Sequence, residues 1–493
     1  MADLKPTLEQ EAIIDAGVNG DTFVVDAVAG SGKTSTLRMA SQAMKDSKIL
    51  YLVYNRAAAD DARKVFPKNV TVKTTAAMAF GAYKGKYGDR ILGPRVPANQ
   101  TAAMLKLTKP LELGQDIFFR PYSLAMLAVE TVDRFCHTAD LEVEGHHVPP
   151  LPLGLSVIQE ETLRQEVTLW ARKLWKDSRN PTSKHRFTFD YAFKCWVMDE
   201  PSVYFDTIML DEAQDSNGIV EHFIKQQYVQ KVIVGDPAQQ LYAWRGAVNI
   251  MDRFEGERLS LSQSWRFGER IAEEADKWLA HTGTGISVKG NPAMDSIVTD
   301  DPFGRPDAVL CRTNATAVDR AMFYLGQGLQ VAVAGGTKQL VALAYAAGEL
   351  KQGKETTHQE LIAFKTWKEL VDFTEEPGGG DLKALVNLIQ IHGVGGILDA
   401  CKLLVDENRG NPDVTVSTTH KSKGREWLNV EVAADFKPPH GVPDPFGGEA
   451  TPGPIPKADA MLHYVTVTRA RQTLNRGGLT WIDDYEGMVI DKW

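Results

Sequence analysis

Cysteine is scarce in this chain, and its spacing argues against several kinds of metal and redox site. Only four cysteines occur among 493 residues, and no two of them form a Cys-x-x-Cys pair. This pattern disfavours a zinc ribbon, an iron–sulfur ligand set and a disulfide framework. We therefore expect ordinary thiols at Cys136, Cys195, Cys311 and Cys401.

Long apolar runs and an excess of positive charge are also lacking. The first residues contain no apolar signal-peptide core, and no stretch has the roughly 18–20 uninterrupted apolar residues that span a bilayer. We expect no membrane association and a cytoplasmic location. The net charge of −9 disfavours a protein that coats nucleic acid, because such proteins are usually basic, but it is compatible with a local basic groove.

The length and the 43% apolar content indicate two or more domains. Strand-like apolar runs alternate with helical patterns, which predicts an α/β fold with parallel sheets covered by helices. We expect a first α/β domain from residues 1–80 and 201–255, and a second from residues 256–337 and 412–493. Residues 81–200 and 338–411 are predicted to be mostly helical insertions, the second one short.

A glycine-rich turn follows the first predicted strand. Its sequence "AVAGSGKT" (27–34) fits the phosphate-binding pattern G-x-x-x-x-G-K-[ST], except that Ala27 replaces the first glycine. Small residues let backbone N–H groups surround a phosphate at a helix N-terminus, where Lys33 would neutralise it and Thr34 would hold Mg²⁺. The flanking strand and helix favour phosphate binding over a coincidental turn, with contacts from Ala29, Gly30, Ser31, Gly32, Lys33, Thr34 and Ser35.

A second motif, the acidic "LDEAQD", follows the apolar run "TIM". A carboxylate at the carboxyl end of a parallel strand can face the phosphate-binding turn across the sheet. Asp211 would then bind Mg²⁺, and Glu212 would position or deprotonate the attacking water. The alternative is a solvated acidic turn, which the nearby phosphate-binding motif disfavours.

Nine or more short motifs occur in one order along nearly the whole chain. They include "TLEQEAI", "VYNRAAADDA", "KTTAAMAF", "LDEAQD", "GDPAQQLYAWRGA", "LSQSWRFG", "VLCRTNA", "VSTTHKSKGREW" and "LHYVTVTRARQTL". In this order they resemble the UvrD/Rep-like branch of superfamily 1 helicases, and within it the shorter forms akin to F-box helicases and related phage proteins. The resemblance implies two RecA-like domains, and ATP and Mg²⁺ as cofactors.

The resemblance also implies roles for residues of the nucleotide site. The catalytic set would be Lys33, Asp211, Glu212, Gln239, Arg266 and Arg469, in which Gln239 senses the γ-phosphate and the two arginines reach it from the second domain. Gln10 would read the adenine, Trp265 would stack on it, and Glu426 would bind the ribose. Arg471, in contrast, is expected on a helix surface.

A DNA track is implied by the same motifs. Tyr242 and Trp244 offer faces on which unstacked bases can rest, at roughly 1–3 kcal/mol per base, although both could be core aromatics instead. Backbone contacts, which carry no sequence information, would come from Asn55, Arg56, Thr74, Arg245, His420, Lys421 and Lys423. Ala76 and Val53 depart from the family's histidine and aromatic residue, so hydrolysis is predicted more securely than unwinding.

These observations lead to three hypotheses. The first is a 3′-to-5′ translocase on single-stranded DNA that unwinds duplex at single-strand/duplex junctions, acting as a monomer or weak oligomer with partners in replication, repair or recombination. The second is an ATPase subunit that senses DNA or nucleotide and gates a partner nuclease or recombination complex. The third is a DNA-binding scaffold with a degenerate ATP site. The small size favours a bacterial or phage-encoded protein.

Overall fold

The computed structural model describes residues 5–485, except 54, 95, 115–116, 152–154, 242–248, 303, 355, 357, 359–360, 362–363, 365, 375–379, 408–409, 440 and 442–451. The chain forms two compact units. The first comprises residues up to Ala27 together with Gly32–Leu261, and the second comprises Val28–Ser31 together with residues from Ser262 onward.

The first unit is built on a six-stranded sheet in which every pair of neighbours is parallel. Its order is β3-β2-β6-β7-β1-β8. The strands are β1 (Phe23–Ala27), β2 (Ile49–Val53), β3 (Val70–Thr74), β6 (Thr207–Leu210), β7 (Gln230–Gly235) and β8 (Glu257–Leu261). Strands β2 and β6 are buried along their whole length, as expected for a parallel sheet covered on both faces.

Strand β8 shows that the predicted boundary at residue 255 was wrong. It pairs with β1 over Phe23–Ala27, so the first unit extends to Leu261. β8 lies at the edge of the sheet and only Leu261 is fully buried in it, because an edge strand contacts one neighbour only. Its sequence "ERLSL" therefore lacks the apolar run that identifies the central strands.

The insertion after β3 is mostly helical. The helices of the first unit are α1 (Leu8–Asn19), α2 (Lys33–Ala43), α3 (Arg56–Val65), α4 (Thr75–Ile91), α5 (Ala98–Leu105), α6 (Pro121–Cys136), α7 (Val157–Ser178), α8 (Phe189–Met198) and α9 (Gly218–Gln226). A short antiparallel pair, β4 (Leu111–Glu112) and β5 (Phe118–Phe119), lies between α5 and α6. One apolar cluster joins the insertion to the sheet, since it contains both Phe135 of α6 and Leu210 of β6.

The second unit contains a second six-stranded parallel sheet, in the order β11-β12-β10-β13-β14-β9. Its strands are β9 (Ile297–Thr299), β10 (Ala308–Cys311), β11 (Val331–Val333), β12 (Val414–Thr418), β13 (Trp427–Val432) and β14 (Ala470–Asn475). Its helices are α10 (Glu269–Leu279), α11 (Asn314–Gly326), α12 (Lys338–Lys351), α13 (Trp367–Thr374), α14 (Gly380–Leu403), α15 (Thr419–Ser422) and α16 (Lys457–Val467). The two parallel sheets with flanking helices confirm the predicted α/β fold class.

In the second unit, Arg471 lies in β14 rather than on a helix, so that expectation was wrong. Among the described residues, Leu382–Leu403 is one stretch long and apolar enough, by length and composition alone, to cross a membrane. Its Leu385 and Ile389 are buried in an apolar cluster with residues of α11 and α12, so part of α14 packs against the core, whereas Ile391 is 73% exposed.

Candidate nucleotide and DNA site

The phosphate-binding turn has the strand–turn–helix form that its sequence predicts. β1 ends at Ala27, and α2 begins at Lys33 with Gly32 as its N-cap. Gly30 and Gly32 have φ angles of 71° and 80°, in the left-handed region that glycine adopts without a Cβ penalty. The first residues of α2, Lys33 to Ser35, are at least partly exposed, so the helix N-terminus is open to an anion.

Asp211 follows β6 directly and is held by two hydrogen bonds. The Tyr51 hydroxyl donates to Oδ2 at 2.5 Å, and the Glu212 N–H donates to Oδ1 at 2.9 Å. Burial raises the pKa of Asp211, the Glu212 charge adds to this, and Lys33 opposes it. Burial likewise raises the pKa of Tyr51 well above its usual value, so Tyr51 is a hydrogen-bond donor at neutral pH.

Glu212 has an unusual backbone conformation. Its φ and ψ of 55° and 42° lie in the left-handed region, which costs a residue with a Cβ on the order of 1–2 kcal/mol. Such strain persists where the surrounding structure imposes it, and it is concentrated at functional sites. The Glu212 carboxylate lies 3.8 Å from Nζ of Lys33, so the turn brings the acid and the lysine of two separate motifs together.

A chain of buried hydrogen bonds connects Glu212 to Gln239. The Gln214 amide nitrogen donates to the Glu212 carboxylate, and the Gln214 amide oxygen accepts from the Asp236 N–H at 3.0 Å. Asp236 then accepts from the Gln239 amide at 2.7 Å. Gln214 and Asp236 have no exposed surface. A Cβ at Gly235 would lie 2.4 Å from the Gln214 amide oxygen, so this glycine makes room for the chain.

Three residues of these hydrogen-bond contacts, Tyr51, Gln214 and Asp236, were not identified from the sequence. Tyr51 belongs to the buried apolar strand "ILYLV", which gives no sign of a polar role. Gln214 is part of the quoted "LDEAQD" motif, but its partner Asp236 lies 22 residues away. The adjacency of β6 and β7 in the sheet brings them together, and a local pattern does not encode that adjacency.

The donor set at this sheet edge fits Mg²⁺. Asp211 accepts from the Tyr51 hydroxyl and Thr34 lowers the pKa of that hydroxyl, so the two residues predicted to hold the metal both lie beside Tyr51. Hydroxyl and carboxylate oxygens are the ligands that Mg²⁺ prefers. Burial and the neighbouring Glu212 raise the pKa of Asp211 and Lys33 opposes this, so further positive charge would stabilise the ionised carboxylate pair. A divalent cation would supply it.

The predicted adenine reader, Gln10, is buried, and it stabilises the start of α1. Its amide oxygen accepts from the Thr7 N–H at 3.1 Å, and its amide nitrogen donates to the Thr36 hydroxyl at 3.1 Å. Together with the bond from the Gln10 N–H to Thr7 Oγ1, this forms a capping box. Gln10 thus connects α1 to the helix that follows the phosphate-binding turn, and its adenine role stays a prediction.

In the second unit, three predicted nucleotide residues lie close together. Arg266 donates from Nε to Glu426 at 2.7 Å and from Nη1 to the Thr468 carbonyl at 3.0 Å. Arg469 is only 1% exposed and donates to the Val465 carbonyl at 2.9 Å. The Trp265 side chain is 46% exposed, which leaves part of the ring accessible for stacking.

Two predicted DNA contacts are helix N-caps. Asn55 Oδ1 accepts from the Ala58 N–H at the start of α3, and Thr74 Oγ1 accepts from the Ala77 N–H at the start of α4. Capping uses the oxygen of each side chain as an acceptor. The Asn55 amide and the Thr74 hydroxyl can still donate hydrogen bonds, which is what a phosphate oxygen requires. The Arg56 side chain, in the first turn of α3, is 93% exposed.

The remaining DNA residues fall in three places. His420 and Lys421 lie in α15 and Lys423 is its C-cap, all partly buried. Tyr242, Trp244 and Arg245 lie outside the described residues.

Two residues depart from the family pattern. Val53 is only 4% exposed at the end of β2 and packs in the sheet core, and Ala76 lies in the first turn of α4.

The parallel sheet and the glycine-rich turn between β1 and α2 have the arrangement that is typical of P-loop nucleotide-binding proteins. The model of the UvrD/REP helicase N-terminal domain family matches residues 191–257. F-box DNA helicase protein 1 of Schizosaccharomyces pombe is 27% identical over 88% of this chain and 53% of its own length. F-box DNA helicase 1 of Gallus gallus is 26% identical over 96% of this chain and 49% of its own length. The chain therefore spans about half the length of the curated relatives it matches.

More limited matches include DNA helicase II of Escherichia coli, 29% identical over 25% of this chain and 17% of its own length. A solved structure of Arterivirus nonstructural protein 10 (helicase) with DNA covers 95% of this chain and 65% of its own, at 11% identity and a TM-score of 0.33. The family match and the sequence relatives confirm the resemblance and support a UvrD/Rep-like superfamily 1 helicase.

The comparison corrects one expectation. The relatives matched over most of the chain come from fission yeast and chicken, which are eukaryotes. The expected bacterial or phage origin and cytoplasmic location were therefore wrong. The expected origin rested on the small size of the chain and the expected location on the lack of an apolar signal segment, and neither feature distinguishes these alternatives.

Proposed function

We propose that this chain is an ATP-dependent DNA helicase that moves 3′ to 5′ on single-stranded DNA and separates duplex ahead of it. One observation carries the ATPase part. The carboxyl ends of three neighbouring strands, β6, β7 and β1, bring the acid pair, the Asp236–Gln239 segment and the phosphate-binding turn to one edge of a sheet. DNA as the track, and partners in replication, repair or recombination, are proposed from the names of the relatives.

The chemistry follows from the positions of these side chains. Lys33 would bind the β- and γ-phosphates of ATP, and Glu212 would accept a proton from the attacking water or orient it. Thr34 and Asp211 would hold Mg²⁺, which supplies positive charge to the phosphate oxygens. Arg266 and Arg469 are proposed to stabilise the negative charge of the transition state.

The hydrogen-bond chain gives a physical basis for sensing the nucleotide. Gln239 is connected to Glu212 through Asp236 and Gln214, so a change of Gln239 partner on loss of the γ-phosphate would alter the position of the general base. The segment that follows Gln239 carries the predicted base-stacking residues Tyr242 and Trp244. The ATP state and the grip on DNA would thus be coupled through one short segment.

The deciding experiment measures ATP hydrolysis by the purified chain with and without single-stranded DNA. We expect stimulation by DNA, and loss of hydrolysis in Glu212→Gln, because the amide cannot accept the proton. Glu221→Gln is the matched control, because Glu221 is a glutamate of the same unit that pairs with Lys225 and Arg253 and with none of the predicted nucleotide residues. Hydrolysis that is absent, or equal in Glu212→Gln, would refute the proposal.

Direction and unwinding need a second assay. Duplexes with a 3′ or a 5′ single-stranded tail are incubated with the chain and ATP, and we expect separation of the 3′-tailed substrate only. DNA-stimulated hydrolysis without separation of either substrate would instead favour the gating-subunit hypothesis. Separation of the 5′-tailed duplex alone would refute the proposed direction.

A further inference from the structure

Three side chains with metal-binding atoms converge in the helical insertion, apart from the nucleotide residues. Asp140 lies in the loop after α6, and His146 and His147 lie in the 3₁₀ helix Gly145–His147. Nε2 of His146 is 2.7 Å, and Nε2 of His147 is 2.9 Å, from the same Oδ2 atom of Asp140. The three potential ligand atoms lie within 4.8 Å of one another, so a single ion can contact all three after small side-chain shifts.

We propose that Asp140, His146 and His147 form a Zn²⁺ site. Two imidazole nitrogens and one carboxylate oxygen are a ligand set that zinc accepts, with water in the fourth tetrahedral position. Mg²⁺ and Ca²⁺ prefer oxygen ligands, so this site differs in kind from the Mg²⁺ position at Thr34 and Asp211. The four cysteines contribute nothing to it, which is why cysteine spacing gave no sign of a zinc site.

The surroundings of His147 suit a zinc ligand. The side chain is 1% exposed, and its Nδ1 lies 3.2 Å from the Glu144 carbonyl oxygen. A histidine that binds a metal through Nε2 carries its proton on Nδ1 and usually donates it to a carbonyl or carboxylate, which fixes the ring orientation. The Glu144 carbonyl provides that acceptor. The Glu144 N–H donates to Nδ1 at 2.9 Å when the ring carries its proton on Nε2, so zinc binding through Nε2 would move the ring to the other tautomer.

The backbone around Asp140 is held by hydrogen bonds from α8 and α9. Lys194 of α8, itself only 1% exposed, donates to the carbonyls of Thr138 and Asp140 at 2.7 and 2.6 Å. The His137 carbonyl accepts from the Ile219 N–H at the start of α9, at 3.2 Å. A metal here would therefore fix a loop that joins α6 to α8 and to α9, the helix that follows the "LDEAQD" motif.

The site is also accessible. The Asp140 and His146 side chains are 43% and 63% exposed, so an ion can reach them from solvent without unfolding of the insertion. Because His146 is mostly exposed, its replacement removes a ligand without opening a cavity. His146→Gln and Asp140→Asn are therefore suitable test variants, whereas replacement of the buried His147 risks misfolding.

The test uses the full chain without an affinity tag, stripped with a chelator and dialysed. Zinc is titrated in excess Mg²⁺ against a chromophoric competing chelator, and bound metal is counted by mass spectrometry. We expect one Zn²⁺ per chain, and at least about 10- to 100-fold weaker binding in each variant, since loss of even an outer partner of a ligand costs that much. Co²⁺ should give the absorption bands of a tetrahedral complex, and both variants should lose them.

His392→Gln is the matched control. Nε2 of His392 lies 3.8 Å from Asp319, a single histidine–aspartate pair in the second unit, and its loss should leave stoichiometry and affinity unchanged. Zinc should also raise the melting temperature of the unaltered chain and of this control, but not of His146→Gln. Undiminished zinc binding by His146→Gln, or no stoichiometric zinc on the unaltered chain, would show that the three side chains form only a hydrogen-bonded cluster.

Discussion

Replacement of Gln214 by leucine tests the hydrogen-bond chain between Glu212 and Gln239. The substitution keeps the approximate size of the side chain but removes its bond to the Glu212 carboxylate and leaves the buried Asp236 N–H without its acceptor. A hydrogen bond to a charged group contributes about 1.5–3 kcal/mol, and an unsatisfied buried donor costs about 1–3 kcal/mol. After a partial offset from added apolar contact, we expect a loss of about 2–4 kcal/mol in the free energy of unfolding.

The catalytic effect should exceed what lost stability explains. In Gln214→Leu, the Glu212 carboxylate loses the hydrogen bond from Gln214 that orients it. A displacement of about 1 Å in a catalytic group can lower the rate about 100-fold. We expect kcat for DNA-stimulated ATP hydrolysis to fall roughly 10- to 100-fold while KM changes little, because the Gln214 amide bonds to Glu212 and Asp236 rather than to Lys33. The assay is steady-state hydrolysis well below the melting temperature of the variant.

Gln227→Leu is the control for this variant. Gln227 is a buried glutamine of the same unit whose amide oxygen accepts from Val203 and whose amide nitrogen donates to the Pro201 and Phe223 carbonyls. It should lose comparable stability and keep its kcat. Equal kcat values in the two variants, after each is shown to be folded by its melting curve, would refute a role for the chain in catalysis.

Two further predictions concern charge. Burial lowers the pKa of His463 to about 3. Below pH 6.5 the unfolded state therefore binds a proton at this histidine, whereas the folded state stays neutral there. Between pH 7 and pH 5 the free energy of unfolding should fall by about 2 kcal/mol more in the unaltered chain than in His463→Phe. Urea unfolding at several pH values measures this, and parallel pH profiles would contradict it. Replacement of the exposed Arg56 by alanine should reduce the slope of log affinity for single-stranded DNA against log salt by about 0.7. Lys64→Ala, at the other end of α3, should leave the slope unchanged, and equal slopes in all three proteins would exclude Arg56 from the track.

The central strands could be predicted because most of their residues are buried between covering helices and are therefore apolar. That property made "TIML" and "KVIVG" recognisable, and the motifs at their ends followed. β8 was missed because it is an edge strand whose polar residues face solvent. The sequence alone therefore placed the first domain boundary six residues early, at 255 instead of Leu261.

The contacts of the site were less predictable than its residues. Tyr51 reaches Asp211 across a separation of 160 residues, and the sheet order that joins them is not written in either segment. The motifs did not predict the helix-capping roles of three side chains, for a different reason. Gln10, Asn55 and Thr74 fit family motifs for ligand contacts, but each side chain also satisfies a backbone N–H at a helix start. One polar side chain can serve both purposes, and a motif records only one.

The strand order of the first sheet has a consequence for how the chain folds during synthesis. β1 carries the phosphate-binding turn, yet both of its partners, β7 and β8, follow it by about 200 residues. At roughly 5–20 residues per second, a ribosome needs about 10–40 s to make that interval. During this time β1 has no neighbour to pair with, whereas the helices of the insertion make mostly local contacts and can form as they emerge. The glycine-rich turn is thus translated well before the two strands that pair with β1, which leaves β1 exposed in that interval as an apolar strand of the kind that chaperones bind.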